Sequence, residues 1–126
     1  MGSRLIIALL ALAGLVNMAI FVRSACGGQD SQCSLVSRDR AARLLWGLPN
    51  TGLGAAYYLS VGLLNLLIAS HYPALSVTIG RTISLIALAI SLFLALYLIL
   101  KLKIPCPICM VGHGINLLIA LVYWLK

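Results

Sequence analysis

The sequence predicts an all-α integral membrane protein. Three observations carry this: an apolar chain throughout, four apolar stretches of spanning length, and almost no charge inside them. Hydrophobic residues make up 63% of the 126 and charged residues 9%, where a soluble domain runs nearer ~25% charged. So little polar surface cannot coat a ball of this size, which excludes a soluble enzyme or receptor. The length allows one domain, residues 1–126. Nine basic and two acidic residues give +7, too few charges for a nucleic-acid footprint. In a membrane protein such basic residues report orientation and lipid contact.

The spans are expected at about residues 5–22, 51–70, 82–100 and 108–125. Each holds about 18 to 20 residues, and at ~1.5 Å rise that approaches the ~30 Å hydrocarbon thickness. Backbone groups in lipid must bond internally, so these are helices. Arg4 before the first span suits a signal peptide, but a signal's apolar region is shorter, about 7 to 15 residues, and a retained helix is expected. Segment 23–48 gathers Arg23, Arg38, Arg40, Arg43 and both acids, Asp30 and Asp39. Its first half has the glycines and small polar residues of a loop, while 35–46 is expected to form a short helix at the membrane surface. Trp46 suits an interfacial belt and Pro49 the first turn of the second span. The second connection, around His71-Tyr72-Pro73, and the third, Lys101 to Pro105, are short.

Four cysteines form two pairs, Cys26 with Cys33 and Cys106 with Cys109. With four spans, the first and third connections fall on the same side, so both pairs face one side of the membrane. Cys106-Pro107-Ile108-Cys109 is a C-x-x-C opening the fourth helix. The helix N-terminus stabilises a thiolate, and Lys101 and Lys103 add positive charge nearby. A structural pair, or two soft metal ligands, is the plainer reading of that motif. Cys26 and Cys33 flank a glycine-containing loop, which suits either a structural disulfide or one that exchanges with other thiols. Exchange proceeds by thiolate attack through a mixed disulfide. A loop pair and a fixed pair on one face therefore make a relay between an external thiol and the membrane. The fixed pair must then pass its electrons to something soluble in lipid, and a quinone, which takes two electrons, fits. No glycine-rich dinucleotide fingerprint and no haem-attachment C-x-x-C-H occurs, since Met110 follows Cys109.

These residues resemble the vitamin K epoxide reductase family, including its bacterial and archaeal disulfide-forming members. The resemblance covers nearly the whole chain. It rests on the pair Cys26…Cys33, the run Trp46-Gly47-Leu48-Pro49-Asn50 before Gly54, and Cys106-Pro107-Ile108-Cys109 opening the last helix. The analogous DsbB protein carries its C-x-x-C in the first loop instead. The resemblance implies a four-helix bundle around a quinone pocket. It implies that Cys106 and Cys109 are the active-site pair, with Cys109 facing quinone. Cys33 would exchange with Cys106, and Cys26 would meet the external thiol. Family members hydrogen-bond the quinone through an Asn heading the second span, matched by Asn50, and a Tyr four residues after the last cysteine. Here that second position holds His113, a departure, although imidazole can still donate. Ser37 is the nearest match to a family Ser or Thr after the loop cysteines, at a shorter spacing. Relatives often carry a fused thioredoxin-like domain; the last span here ends near Lys126, so a separate thioredoxin-fold partner is expected.

Plainer roles stand beside these. Asn50 also suits a helix N-cap, and His113 interhelical glue. Asn17, Asn65 and Asn116 read mainly as such glue. Tyr57, Tyr58, Tyr123 and Trp124 read as lipid or interface anchors, though Tyr57 or Tyr58 could touch the quinone. The alternative function is a small carrier of a soft metal ion, mercury or copper, since thiolates select such ions. No acidic residue and no cysteine or methionine ladder crosses the bilayer to support it. The cysteine side holds Arg23, Arg38, Arg40, Arg43, Lys101 and Lys103, against Arg4, Arg81 and Lys126 opposite. The positive-inside rule therefore leans the cysteines toward the cytoplasm.

Overall fold

The computed structural model describes residues 2–27, 50–103 and 107–125. They form four long helices: α1 (Gly2–Gly27), α2 (Asn50–Leu63), α3 (Pro73–Leu96) and α4 (Pro107–Leu125). α2 runs on through a π-helical turn, Leu64–Ile68, and a last α-helical turn, Ala69–His71. α3 runs on as π-helical Tyr97–Leu102. The described residues contain no strand. Four segments are long and apolar enough to cross a membrane: Gly2–Arg23, Gly52–His71, Pro73–Lys101 and Pro107–Leu125. This is a multi-pass, all-helical membrane protein. The surface helix expected at 35–46 and the redox loop beyond Gly27 lie outside the described residues.

Two helix ends fall elsewhere than hydropathy suggests. α1 continues past Val22 as far as the described residues reach, Gly27, because nothing earlier breaks it. α3 starts at Pro73, well before Thr82. Proline has no N–H to lose in the first turn, so it sets the start there. Tyr72 alone is non-helical in this connection, and its N–H still bonds Ile68 O at 2.7 Å. The twenty steps from Arg81 to Lys101 rise ~30 Å, one hydrocarbon thickness. Hydropathy thus marks the later part of α3, while the apolar helix long enough to cross a membrane runs from Pro73 to Lys101.

α1 packs against α2 and α4, and α3 against α4. The interior contains Ile7, Ala11, Tyr58, Val61, Ile115, Ile119 and Tyr123. Lipid tails are as apolar as leucine, so close packing and hydrogen bonds, not apolarity, select the inner faces. The distribution follows. Leucines such as Leu5, Leu66 and Leu100 face outward, while Ser76, Gly80, Ser84 and Ser91 are the buried residues of α3. Two glycines make room for tyrosines. A Cβ on Gly14 would lie 2.4 Å from the Tyr58 ring, and one on Gly80 2.1 Å from the Tyr123 ring. Tyr58 and Tyr123 are accordingly 1% and 0% exposed. This corrects their expected role as anchors at the lipid interface, whereas Trp124, 55% exposed, stands where an anchor would.

The asparagines act as glue between helices. Asn65, in the π-helical turn, donates to Val61 O at 2.8 Å and to the Tyr123 hydroxyl at 2.5 Å. Arg81 Nε donates to Tyr123 O at 3.0 Å, and its guanidinium lies 5.7 Å from the Trp124 ring. It thus satisfies a carbonyl in the last turn of α4, where a cation also suits the helix dipole.

Candidate functional site

The end of the bundle that carries cysteines is built by helix pairing. Asn17 Nδ2 on α1 donates to Ile108 O in the first turn of α4 at 3.0 Å. Met18 of α1 lies against Gly54, one turn into α2. The last turns of α1, the start of α2 and the start of α4 therefore meet at one end. Cys109 is the third residue of α4 and half-buried. There the free N–H groups and partial positive charge of a helix N-terminus favour an anion.

One turn further along α4 begins a chain of polar side chains through the bundle. His113 lies four residues after Cys109, on the same helix face. Its Nδ1 is 2.6 Å from Ser91 Oγ on α3. Ser91 Oγ accepts from Asn116 Nδ2 at 2.9 Å. Asn116 Oδ1 accepts from the Tyr58 hydroxyl of α2 at 2.7 Å, and that hydroxyl also lies 3.3 Å from Gly112 O. Three helices are joined by four side chains. Beside Tyr58, with ring centroids 5.2 Å apart, Tyr57 has a buried hydroxyl without a hydrogen-bond partner among the described residues. A buried hydroxyl left unpaired is costly, so it is available to an acceptor. His113 Nε2 likewise has no hydrogen bond among the described residues.

Of the residues singled out from sequence, Cys109 and His113 stand together on α4. Cys26 lies in the last turn of α1 and Asn50 is the first residue of α2. Both are at the same end as Cys109, but their side chains lie outside the described residues. Cys33, Cys106 and Ser37 also lie outside them. The sequence reading missed Ser91, and it gave Tyr58 and Asn116 no place beside His113. Their one available signal was a hydroxyl or amide within an apolar span, which is expensive in lipid unless bonded.

The sequence profile of the Vitamin K epoxide reductase family matches residues 5–124. The chain belongs to this family. Among curated proteins none matches it. As a vitamin K epoxide reductase family member it is a membrane thiol oxidoreductase, and four spanning helices put it in contact with a lipid bilayer.

Proposed function

We propose that this protein forms disulfides in a separate thioredoxin-fold partner and passes the electrons, through two cysteine pairs, to a membrane quinone such as ubiquinone or menaquinone. The observation that carries this reading is Cys109 in the first turn of α4, with His113 one turn away, its Nδ1 against Ser91 and its Nε2 without a hydrogen bond among the described residues. A ketone oxygen in an apolar pocket needs donors, and His113 Nε2 and the Tyr57 hydroxyl are two without partners among the described residues.

The relay balances at each step. A partner thiolate attacks the Cys26–Cys33 disulfide, and the partner's second thiolate resolves the mixed disulfide, leaving partner oxidised and loop pair reduced. Cys33 then attacks Cys106, opening the Cys106–Cys109 disulfide and releasing Cys109 as thiolate. Cys26 attacks Cys33 in turn, which restores the loop disulfide and leaves Cys106 and Cys109 reduced. Quinone supplies the acceptor of two electrons and two protons, so Cys106 and Cys109 return to the disulfide as quinol forms. Asn50 and His113 orient the head group by hydrogen bonding its oxygens. Six basic residues on the cysteine side against three opposite favour the cytoplasmic face for both pairs. Intracellular disulfides have a precedent in hyperthermophiles.

The test is purified protein with dithiol and quinone, followed by quinone absorbance. Cys109→Ala is expected to abolish turnover. Near-normal reduction by that variant would remove Cys109 from the reaction.

A further inference from the structure

Taking the quinone reading as its basis, we infer that Ser91, held by Asn116 and Tyr58, fixes His113 as the tautomer with its proton on Nε2. The imidazole then presents a hydrogen-bond donor to the quinone oxygen. Ser91 is a positioning residue in this account, and so are the two behind it.

The direction of the chain follows from which groups can donate. The Tyr58 hydroxyl lies 2.7 Å from Asn116 Oδ1, the usual length of O–H···O, and Asn116 Nδ2 lies 2.9 Å from Ser91 Oγ, the usual length of N–H···O. Rotating the Asn116 amide would put N–H···O at the short distance. It would also leave the Tyr58 proton only Gly112 O, at 3.3 Å. The order Tyr58 to Asn116 to Ser91 fits the lengths better. Ser91 Oγ thus already accepts one bond and has a single proton to give. Other hydroxyls in these helices give theirs to a carbonyl three or four residues back, as Ser60, Ser70, Thr78, Thr82 and Ser84 do. Ser91 makes no such bond among the described residues. It is 3% exposed, so an undirected proton would lose its water without replacement. The acceptor within reach is His113 Nδ1, at 2.6 Å. An Nδ1 that accepts leaves the proton of a neutral imidazole on Nε2.

This makes a histidine behave as a dedicated donor. Without Ser91, the two tautomers are closer in energy, and an Nε2 lone pair would repel a ketone oxygen. The chain has two histidines, His71 and His113, and His71 is exposed next to Tyr72, so the signals are easily assigned.

The experiment uses the full chain in detergent, labelled with 15N-histidine, with His71→Gln identifying the His113 resonances. Long-range 15N–1H correlations are expected to show His113 neutral and protonated on Nε2. Ser91→Ala should mix the tautomers and raise the quinone KM about tenfold, the weight of one hydrogen bond, with the dithiol KM unchanged. Ser91→Thr should restore both. A proton on Nδ1 in the unsubstituted protein overturns the inference, as does an Nε2–H form that survives Ser91→Ala. Equal rises in both KM values overturn it too. If His113 holds its Nε2 proton but no quinone is reduced, the functional reading and the donor's role fail while the tautomer assignment stands.

Discussion

Gly80→Ala is the sharpest test of how the third and fourth spans pack. The new methyl carbon would sit 2.1 Å from Tyr123 Cε1 and 2.3 Å from Cζ. No Cβ tolerates such distances, and the ring cannot yield cheaply. It is fully buried, its hydroxyl is held by Asn65, and its backbone carbonyl by Arg81. Overpacking of this kind costs about 1–3 kcal/mol. Shifting the ring also breaks the Asn65 bond, worth about 0.6 kcal/mol between membrane helices. Relative to an unhindered Gly-to-Ala change, which carries the same gain in helix propensity, the expected loss is therefore about 1.6–3.6 kcal/mol, roughly 15- to 400-fold in the folded-to-unfolded ratio. Gly114→Ala is the control, because nothing lies within 4 Å of its added carbon and alanine is the better helix former. Reversible unfolding in mixed micelles with increasing SDS, read by circular dichroism, compares the two. If both variants unfold at the same SDS fraction, Gly80 is not the seat of Tyr123 and the α3–α4 packing described above is wrong.

Other expectations concern the site. His113→Ala should raise the apparent quinone KM by roughly tenfold and leave the dithiol partner's KM nearly unchanged; equal effects on both would return His113 to a purely interhelical role. With Cys109→Ala, the exchange step should stall as a Cys33–Cys106 disulfide identifiable by mass spectrometry. A dominant Cys26–Cys106 link would reverse the order of the relay. If the proposed cytoplasmic orientation holds, a fluorescent protein fused after Lys126 should stay dark in cells, as the charge bias favours; bright fluorescence would place the active site outward.

The architecture was legible because lipid imposes so few options. A run of about 20 apolar residues in this chain has to be a helix, and four such runs are visible by eye. Cys109 stood out as the second cysteine of a C-x-x-C and His113 only through the family resemblance; the helix that holds both, four residues apart, sets them on one face. What hydropathy could not report is which face of each helix looks inward. α3 carries Leu, Ile and Phe outward and turns its serines and Gly80 inward, the reverse of a soluble helix. An amphipathic pattern read by the soluble rule therefore points the wrong way. Tyr58 and Tyr123 were misjudged on the same ground. A tyrosine near a span's end suits the interface by composition, yet Gly14 and Gly80 open interior seats for these two rings. Those glycines are distant in sequence from the rings they accommodate, so no local pattern reveals them. Ser91 was missed because a lone serine in an apolar helix commonly bonds its own backbone. Only the placement of Asn116 and His113 opposite it gives its hydroxyl another use.

The central claim is that thiol electrons leave through Cys106 and Cys109 to quinone, and one anaerobic titration measures it directly. Fully reduced protein, free of partner, is mixed with a known amount of quinone, and quinol is counted by absorbance while the cysteines are mapped by mass spectrometry. Each of the two pairs is expected to yield one quinol as it closes, with Cys106–Cys109 required for both. The protein should form two quinols, Cys26→Ala one, and Cys109→Ala none. Quinol formed at the full rate by Cys109→Ala, or disulfides appearing with no quinol, would contradict the account.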